Sequence, residues 1–245
     1  MDSGVLAGTT ASQFFVDLLR IMSIDILLSG DNAVVIALAS RSLPDAQRWR
    51  AVVGGSAAAV VMRILLCLII TTVLNVPYLK VGGGMMLLYI GVKLVLPEGE
   101  TDGSDVAATS HVWSAIRTIL IADAVMSLDN VVAIAAAAHG SAILITLGLI
   151  ISIPLIVFGS QIVLKILNRM PMLVVLGAGL LGWIAGELIV SDSAIHRFLP
   201  YDEHATAAVA KPALALLVMT LGTVLARRTK TKRATIVDLA PEDMR

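Results

Sequence analysis

The chain has 245 residues, of which 58% are hydrophobic and 15% are charged, and its acidic and basic residues balance. Soluble domains carry about 25% charged residues, so this composition excludes an ordinary soluble protein and is typical of one that crosses a membrane several times. The single cysteine, Cys67, excludes an intramolecular disulfide, and nothing in the charge balance predicts a nucleic-acid partner.

Apolar stretches long enough to cross a bilayer follow one another along the chain. The predicted transmembrane spans cover residues 12–40, 51–74, 77–96, 112–138, 141–167, 171–190 and 212–226. Pro77 and Pro171 open their spans, and Pro154 predicts a kink in the fifth. The segments between them are an acidic linker at 97–110, a polar loop at 191–210 and a basic tail at 227–245. We therefore expect one membrane domain with a first repeat at 12–96 and a second at 111–190.

Basic residues predict the orientation of these spans. If the N-terminus lies outside, the inner segments carry Arg41, Arg48, Arg50, Lys165, Arg169 and the basic residues of the tail. The outer segments then carry only Lys80, Arg197 and Lys211. Because basic residues accumulate on the cytoplasmic side, the sequence predicts an outer N-terminus, an inner C-terminus and seven spans.

The first span contains the motif Asp25-Ile-Leu-Leu-Ser29-Gly30-Asp31-Asn32. A charged residue at the middle of a membrane costs at least about 2.5–3.5 kcal/mol, so carboxylates there are functional candidates. Asp25, Ser29 and Asn32 share one stripe of a regular helix, whereas Asp31 does not. Local unwinding at Ser29 and Gly30 would bring Asp31 to the same side.

The fourth span repeats this motif as Asp123-Ala-Val-Met-Ser127-Leu128-Asp129-Asn130. Here Leu128 replaces the glycine, which makes unwinding less favourable. The segment that begins at Pro77 also resembles the one that begins at Pro171. Three spans in each repeat place the two halves in opposite orientations, and inverted repeats usually hold their substrate near the bilayer midplane. The predicted fold is an all-α polytopic membrane protein with a 3+3 inverted repeat and one additional C-terminal helix.

The two motifs offer only oxygen ligands, which suit hard divalent cations such as Mg²⁺, Ca²⁺ and Mn²⁺. No cysteine or histidine lies near either motif, which argues against a specialised zinc or copper site. The candidate metal ligands are Asp25, Asp31, Asn32, Asp123, Asp129 and Asn130, and the candidate supporting residues are Ser29, Ser127, Arg63 and Glu187. Carboxylates in a dry site can also take up protons, so exchange of metal for protons is chemically available.

Three charged residues outside the motifs have two interpretations each. Arg63, in the second span, either neutralises a carboxylate after a metal has left or forms a purely structural ion pair. Lys93 and Glu187 occupy corresponding places near the ends of spans three and six. They either pair or help to gate the protein, with Glu187 as a proton carrier, or they extend to the interface as long charged side chains commonly do.

The paired D-x-x-x-S-x-D-N motifs, the seven spans and the 3+3+1 repeat resemble the TerC family of integral membrane proteins, within the LysE-type transporter superfamily. The resemblance covers nearly the whole chain and is to the short members, which lack appended soluble domains. Family members are associated with tellurite resistance and with manganese export. The resemblance therefore implies efflux of a divalent metal ion, with Mn²⁺ favoured as the transported substrate and the six motif residues as its ligands. It also implies a bacterial inner-membrane location, surrounding lipid as a partner, no enzymatic activity and no resident cofactor.

Two other function classes remain open at this point. One is a membrane scaffold or stress sensor that transports nothing and whose metal site is regulatory. The other is an intramembrane aspartyl protease, but the first motif lacks G-x-G-D and a two-aspartate dyad does not explain Asn32 and Asn130. The direction of transport and the oligomeric state, a homo-oligomer included, are not specified by the sequence.

Overall fold

A computed structural model describes residues 11–73, 76–96, 105–139, 141–170, 172–196 and 203–239, and all of its regular structure there is helical. The helices are α1 Ala11–Leu28, α2 Gly30–Ser40, α3 Asp45–Val73, α4 Leu79–Val95, α5 Asp105–Ala137, α6 Ala142–Arg169, α7 Met172–Val190, α8 Ser193–His196 and α9 Glu203–Leu239. The predicted all-α class is confirmed for these residues.

Five of these helices are long and apolar enough to cross a membrane, and a sixth span results if α1 and α2 are counted together. The five lie within α3, α5, α6, α7 and α9. The third predicted span forms α4, which has 17 residues. At about 1.5 Å per residue, α4 is slightly shorter than a hydrocarbon core of about 30 Å.

The structure corrects two predicted boundaries between spans. Helix α5 begins at Asp105, so the second part of the predicted linker at 97–110 is helical, and residues 97–104 lie outside the described part of the chain. The acidic residue at the start of α5 is favourable beside the positive end of the helix dipole, and the alanines that follow favour a helix. The predicted loop at 191–210 contains α8 and the start of α9, which carries several alanines in its first turns.

The helices α6 and α9 continue through prolines, and α9 also extends beyond its predicted end. Pro154 lies inside α6 and Pro212 lies inside α9. The seventh span was predicted to end near residue 226, but α9 continues to Leu239 and so includes much of the basic tail. Residues 240–245 lie outside the described residues.

The chain divides into two compact units, each of which takes helices from both predicted repeats. The first unit, up to Lys80 and from 103 to 169, contains α1, α2, α3, α5 and α6. In this unit α3 and α5 run parallel, because Ala51 packs near Ala115 and Gly55 contacts Ile119. Helix α1 runs parallel to α6, because Ile21 lies next to Gly148 and Asp25 bonds to Ser152 one turn further along both helices.

A short turn at 41–44 joins α2 to α3 in the first unit, and Arg48 holds it in place. The Arg48 guanidinium donates to the backbone oxygens of Ser40, Arg41 and Leu43, at 3.4, 3.2 and 2.7 Å. It also pairs with Asp45 at 2.7 Å. These bonds satisfy carbonyl groups that the end of α2 leaves without helical partners.

The second unit, from 81 to 102 and from 170 onward, contains most of α4 together with α7, α8 and α9. Its helices approach closely: a Cβ atom added to Gly182 of α7 would lie 2.5 Å from the backbone oxygen of Leu214 in α9. The buried carboxylate of Asp192 accepts hydrogen bonds from Ala194 N at 2.9 Å and from Val81 N at 3.2 Å. Asp192 therefore stabilises the first turns of both α8 and α4.

Candidate metal centre

The first motif lies where the first span breaks. Helix α1 ends at Leu28, α2 begins at Gly30, and the two axes differ by 52°. Ser29 between them has φ −102° and ψ 7°, outside the regular helical values. This break confirms the unwinding predicted from Ser29 and Gly30. The second motif lies inside the continuous helix α5, as Leu128 favours.

Arg63 of α3 lies at the centre of a buried polar cluster formed by both motifs. Only 1% of Arg63 is exposed, and its Nη1 donates to the Asp25 carboxylate and, at 2.9 Å, to Ser29 Oγ. The Ser29 hydroxyl in turn donates to Asp25 at 3.2 Å. The Nη1 side of the guanidinium is therefore hydrogen-bonded to the aspartate and the serine of the first motif.

The second motif holds the same guanidinium with the same two residue types. Arg63 Nη2 pairs with Asp123 at 2.5 Å, and Arg63 Nε donates to Ser127 Oγ at 2.9 Å. Ser127 donates to Asp123 at 3.2 Å, as Ser29 does to Asp25. The repeated D-x-x-x-S pattern thus forms two matching acceptor pairs around one cation. The planar fork of arginine suits such bonding to two carboxylates.

Ser152 makes a contact with the first motif that has no counterpart at the second motif. Its hydroxyl, from α6, donates to the second oxygen of Asp25. Both oxygens of Asp25 are thereby used, and none of its surface is exposed. Among the described residues, Asp123 accepts side-chain hydrogen bonds only from Arg63 and Ser127.

The remaining candidate ligands lie near the break but are not gathered around one point. Asp31, half-buried in the first turn of α2, accepts a hydrogen bond from Asn32 N at 2.9 Å. Asn130 Nδ2 donates to Leu28 O at 3.3 Å, the last residue of α1. The side chain of Asp129 lies outside the described residues. Within the described chain, no three histidine, cysteine, aspartate or glutamate side chains are grouped as a metal would require.

The side-chain amide of Asn32 is buried without a hydrogen-bond partner. It is 3% exposed, and neither its Oδ1 nor its Nδ2 has a hydrogen-bond partner among the described residues. Buried amides are almost always hydrogen-bonded, so an unpaired one requires an explanation. An oxygen that is left open for a cation is one such explanation.

Tryptophans indicate how deep the cluster lies in the membrane. Trp49 in α3 and Trp113 in α5 are 52% and 67% exposed, and they lie at the same end of these parallel helices. Tryptophan is enriched where the bilayer meets water. Asp123 lies about 15 Å further along α5 than Trp113, which is half of a hydrocarbon core of about 30 Å. Asp123 is therefore about as far from Trp113 as the midplane is from the edge of a hydrocarbon core.

Several buried polar residues of the first unit were not identified from the sequence, and three of them bear on the site. Ser152 carries no signal in the motif pattern, because its contact with Asp25 arises from the packing of α6 on α1. Asp17 is 3% exposed, accepts a hydrogen bond from Gln13 at 3.3 Å and follows the same face of α1 as Asp25. Its place in the first apolar run was a usable signal. The buried hydroxyl of Ser56 in α3 has no partner among the described residues.

Glu187 belongs to the second unit, where its partner is Lys211 at 2.7 Å instead of Lys93. The side chains of Glu187 and Lys211 are 54% and 20% exposed. Lys93 is also exposed. Such a pair resembles surface ion pairs, which contribute about 0–1 kcal/mol to stability.

Comparison with known proteins gives a family and several relatives. A model described as the integral membrane protein TerC family matches residues 10–234. An uncharacterized membrane protein, YjbE of Bacillus subtilis, is 41% identical over 211 residues, which are 86% of this chain and 95% of that protein. YkoY of the same organism is 25% identical over 205 residues, 76% of this chain and 63% of that protein. The UPF0053 inner membrane protein YoaE of Escherichia coli is 25% identical over 214 residues, 80% of this chain and 39% of that protein. No solved structure matches the chain.

Proposed function

We propose that this chain, which belongs to the TerC family of integral membrane proteins, is a secondary transporter that exports a divalent metal ion. Mn²⁺ is the favoured substrate, and protons are the proposed counter-ions. The observation that carries this proposal is that the two motifs meet at one buried cation, the guanidinium of Arg63. Carboxylates that converge inside apolar helices are functional candidates by default, and their negative charge suits a positively charged substrate.

The chemistry of the cluster favours a hard divalent ion. Asp25, Asp123, Ser29 and Ser127 present oxygen atoms to the place that the guanidinium fills, and Asn32 has an amide oxygen without a partner. Oxygen ligands of this kind suit Mg²⁺, Ca²⁺ and Mn²⁺. We propose that a metal ion binds here when Asp31 and Asn32 at the helix break and Asp129 and Asn130 of α5 close around it.

The proposed 3+3 inverted repeat is supported by helix directions within the first unit. Helices α3 and α5 run parallel, as do α1 and α6, and the short turn at 41–44 reverses the chain between α2 and α3. Spans that occupy different positions in their repeats are thus parallel, as opposite orientations of the two repeats require. The proposed location is the bacterial inner membrane, in keeping with the name of the relative YoaE.

Metal flux in proteoliposomes tests this function directly. We expect the purified protein to move Mn²⁺, with protons moving the other way as reported by a pH dye inside the vesicles. Asp25→Asn and Asp129→Asn should each abolish the flux, because an amide removes the charge that offsets the dehydration of a divalent ion. Asp45→Asn is the matched control, since this carboxylate is 95% exposed at the turn that follows α2.

The outcomes separate the function classes. Loss of flux in both motif variants but not in the control supports one site built from both halves. A folded wild-type protein that moves none of Mn²⁺, Ca²⁺ and Mg²⁺ contradicts the transport proposal and favours the scaffold or sensor. Flux without a pH change would retain the transporter and reject the proton as counter-ion.

A further inference from the structure

Arg63 occupies the place where the two motifs meet. Its nitrogens bond to Asp25, Ser29, Asp123 and Ser127, the oxygen-bearing side chains that both motifs share. Building on the proposed function, we propose that Arg63 is a tethered counter-cation. Its guanidinium fills the site when no metal is bound and leaves when a metal enters.

The geometry makes the two cations mutually exclusive. Metal–oxygen distances are about 2.0–2.6 Å, so a divalent ion bound between Asp25 and Asp123 requires the volume that the guanidinium fills. The two positive charges also repel each other strongly in a buried site. Metal entry therefore requires Arg63 to withdraw.

The electrostatic energy of the two buried carboxylates explains why a tethered cation is needed. Asp25 and Asp123 are 0% and 7% exposed, and two buried carboxylates without a cation are strongly unfavourable. A transporter that has released its metal must change conformation without a metal before it can bind again. Arg63 supplies the missing positive charge for that step. Without Arg63, the conformational change would require either a metal or protons on both of these carboxylates.

This inference predicts a specific separation between two kinds of transport. Net efflux of Mn²⁺ requires the empty site to return, whereas exchange of labelled for unlabelled Mn²⁺ does not. In Arg63→Gln, we expect net efflux to fall by about tenfold or more, because the two carboxylates lose the cation that offsets their charge when no metal is bound. The rate of exchange should stay within about threefold of the wild-type rate, because exchange does not require the metal-free site to return. Arg63→Lys keeps the charge and should restore part of the net efflux.

A second measurement separates this role from a purely structural one. We expect Arg63→Gln to unfold at lower temperature than the wild type in metal-free detergent, because the carboxylates lose their partner. Mn²⁺ should then raise the melting temperature of Arg63→Gln more than that of the wild type, since it no longer competes with the guanidinium. Arg48→Gln is the matched control: this arginine also holds several oxygens, but at the turn after α2. Arg48→Gln should lower stability but leave the ratio of exchange to net efflux unchanged.

Each outcome bears on a different claim. If Arg63→Gln loses exchange and net efflux together, and Mn²⁺ does not restore its stability, Arg63 is a structural ion pair and the inference is wrong. If this variant retains net efflux at the wild-type rate, the tethered cation is unnecessary and the inference is also wrong. If the wild-type protein shows neither exchange nor net efflux, the proposed transport function is wrong. The inference about Arg63 is then wrong as well, because it rests on that function.

Discussion

The polar cluster of the first unit is built from short-range pairs that the motif spacing dictates. An aspartate followed four positions later by a serine places both side chains on one face of a helix, and each serine donates to its own aspartate at 3.2 Å. The two pairs become one cluster only because Arg63 bonds to both. The side chain of Arg63 therefore links the three helices α1, α3 and α5.

Ser152 offers a test of how far the exact hydrogen bonding of Asp25 matters. We expect Ser152→Ala to lower the free energy of unfolding by about 1–3 kcal/mol, since it leaves an oxygen of a buried carboxylate unpaired. Metal flux should fall as the position of Asp25 becomes less fixed. Chemical denaturation in detergent and vesicle flux measure the two effects.

Ser160 is the matched control for this substitution. It lies in the same helix, is also buried, and donates its hydroxyl only to the backbone oxygen of Val157 at 2.8 Å. Ser160→Ala should leave flux unchanged. Equal losses in the two alanine variants would show that α6 tolerates no serine replacement, and that the contact with Asp25 has no special role.

The motif-bearing helices differ in continuity, although their sequences match at most motif positions. The first span is interrupted at Ser29, whereas α5 passes through Ser127 and Leu128 without a break. Glycine lowers helix stability by about 1 kcal/mol relative to alanine, and leucine is a good helix former. The difference between Gly30 and Leu128 is therefore sufficient to favour a break in one motif and a continuous helix in the other.

Gly30→Ala tests whether the break is needed for transport. A Cβ atom at Gly30 would meet nothing within 4 Å, so the substitution adds no clash. It should raise helix stability by about 1 kcal/mol and favour a straight span, so we expect slower metal flux without loss of thermal stability. Flux and melting temperature are both measured on the purified protein.

Gly82→Ala is the control, because this glycine lies in α4 and is equally open. It gives the same gain in helix propensity at a site without a break and should leave flux unchanged. Unaltered flux in Gly30→Ala would contradict a functional role for the interruption.

The proposed topology of the whole molecule depends on the distribution of basic residues, and the structure adds a second role for one of them. Arg48 counts toward the positive inner side and also holds the turn at 41–44. The same turn carries the exposed residue Ser42, and the segment between α3 and α4 carries the exposed residue Val76. In the predicted topology these two residues lie on opposite sides of the membrane.

Cysteine labelling in cells checks this orientation. Cys67 is buried, and Cys67→Ser provides a background without a native thiol. In that background, a membrane-impermeant maleimide applied from outside should label Val76→Cys and not Ser42→Cys. Permeabilised cells should label both variants, which controls for accessibility. The reverse pattern would place the N-terminus inside.

The sequence predicted those features that depend on local chemistry or on repetition. Apolar length predicted the helices, the repeated motif located Asp25 and Asp123, and the Ser29-Gly30 pair predicted the break. The boundary errors at 97–110 and 191–210 arose because short polar residues are also compatible with helix ends, where water or a dipole satisfies them.

Contacts between distant helices could not be predicted in the same way. Arg63 was recognised as a deep charge, but its bonds to both motifs depend on how α1, α3 and α5 pack. Ser152 was missed for the same reason. A motif search also passes over Asp17, because this buried carboxylate has no counterpart in the second motif.

The cluster of Asp25, Arg63 and Asp123 has an electrical consequence. With both carboxylates ionised, it carries one net negative charge. The proposed function places this charge near the middle of the membrane. A voltage acts on any charge that moves through the bilayer, at about 2.3 kcal/mol per elementary charge for 100 mV. A divalent ion beside a displaced guanidinium would reverse the sign of that net charge. The same voltage would then push the loaded and the empty forms of the protein in opposite directions, so that turnover becomes a voltage-dependent rate.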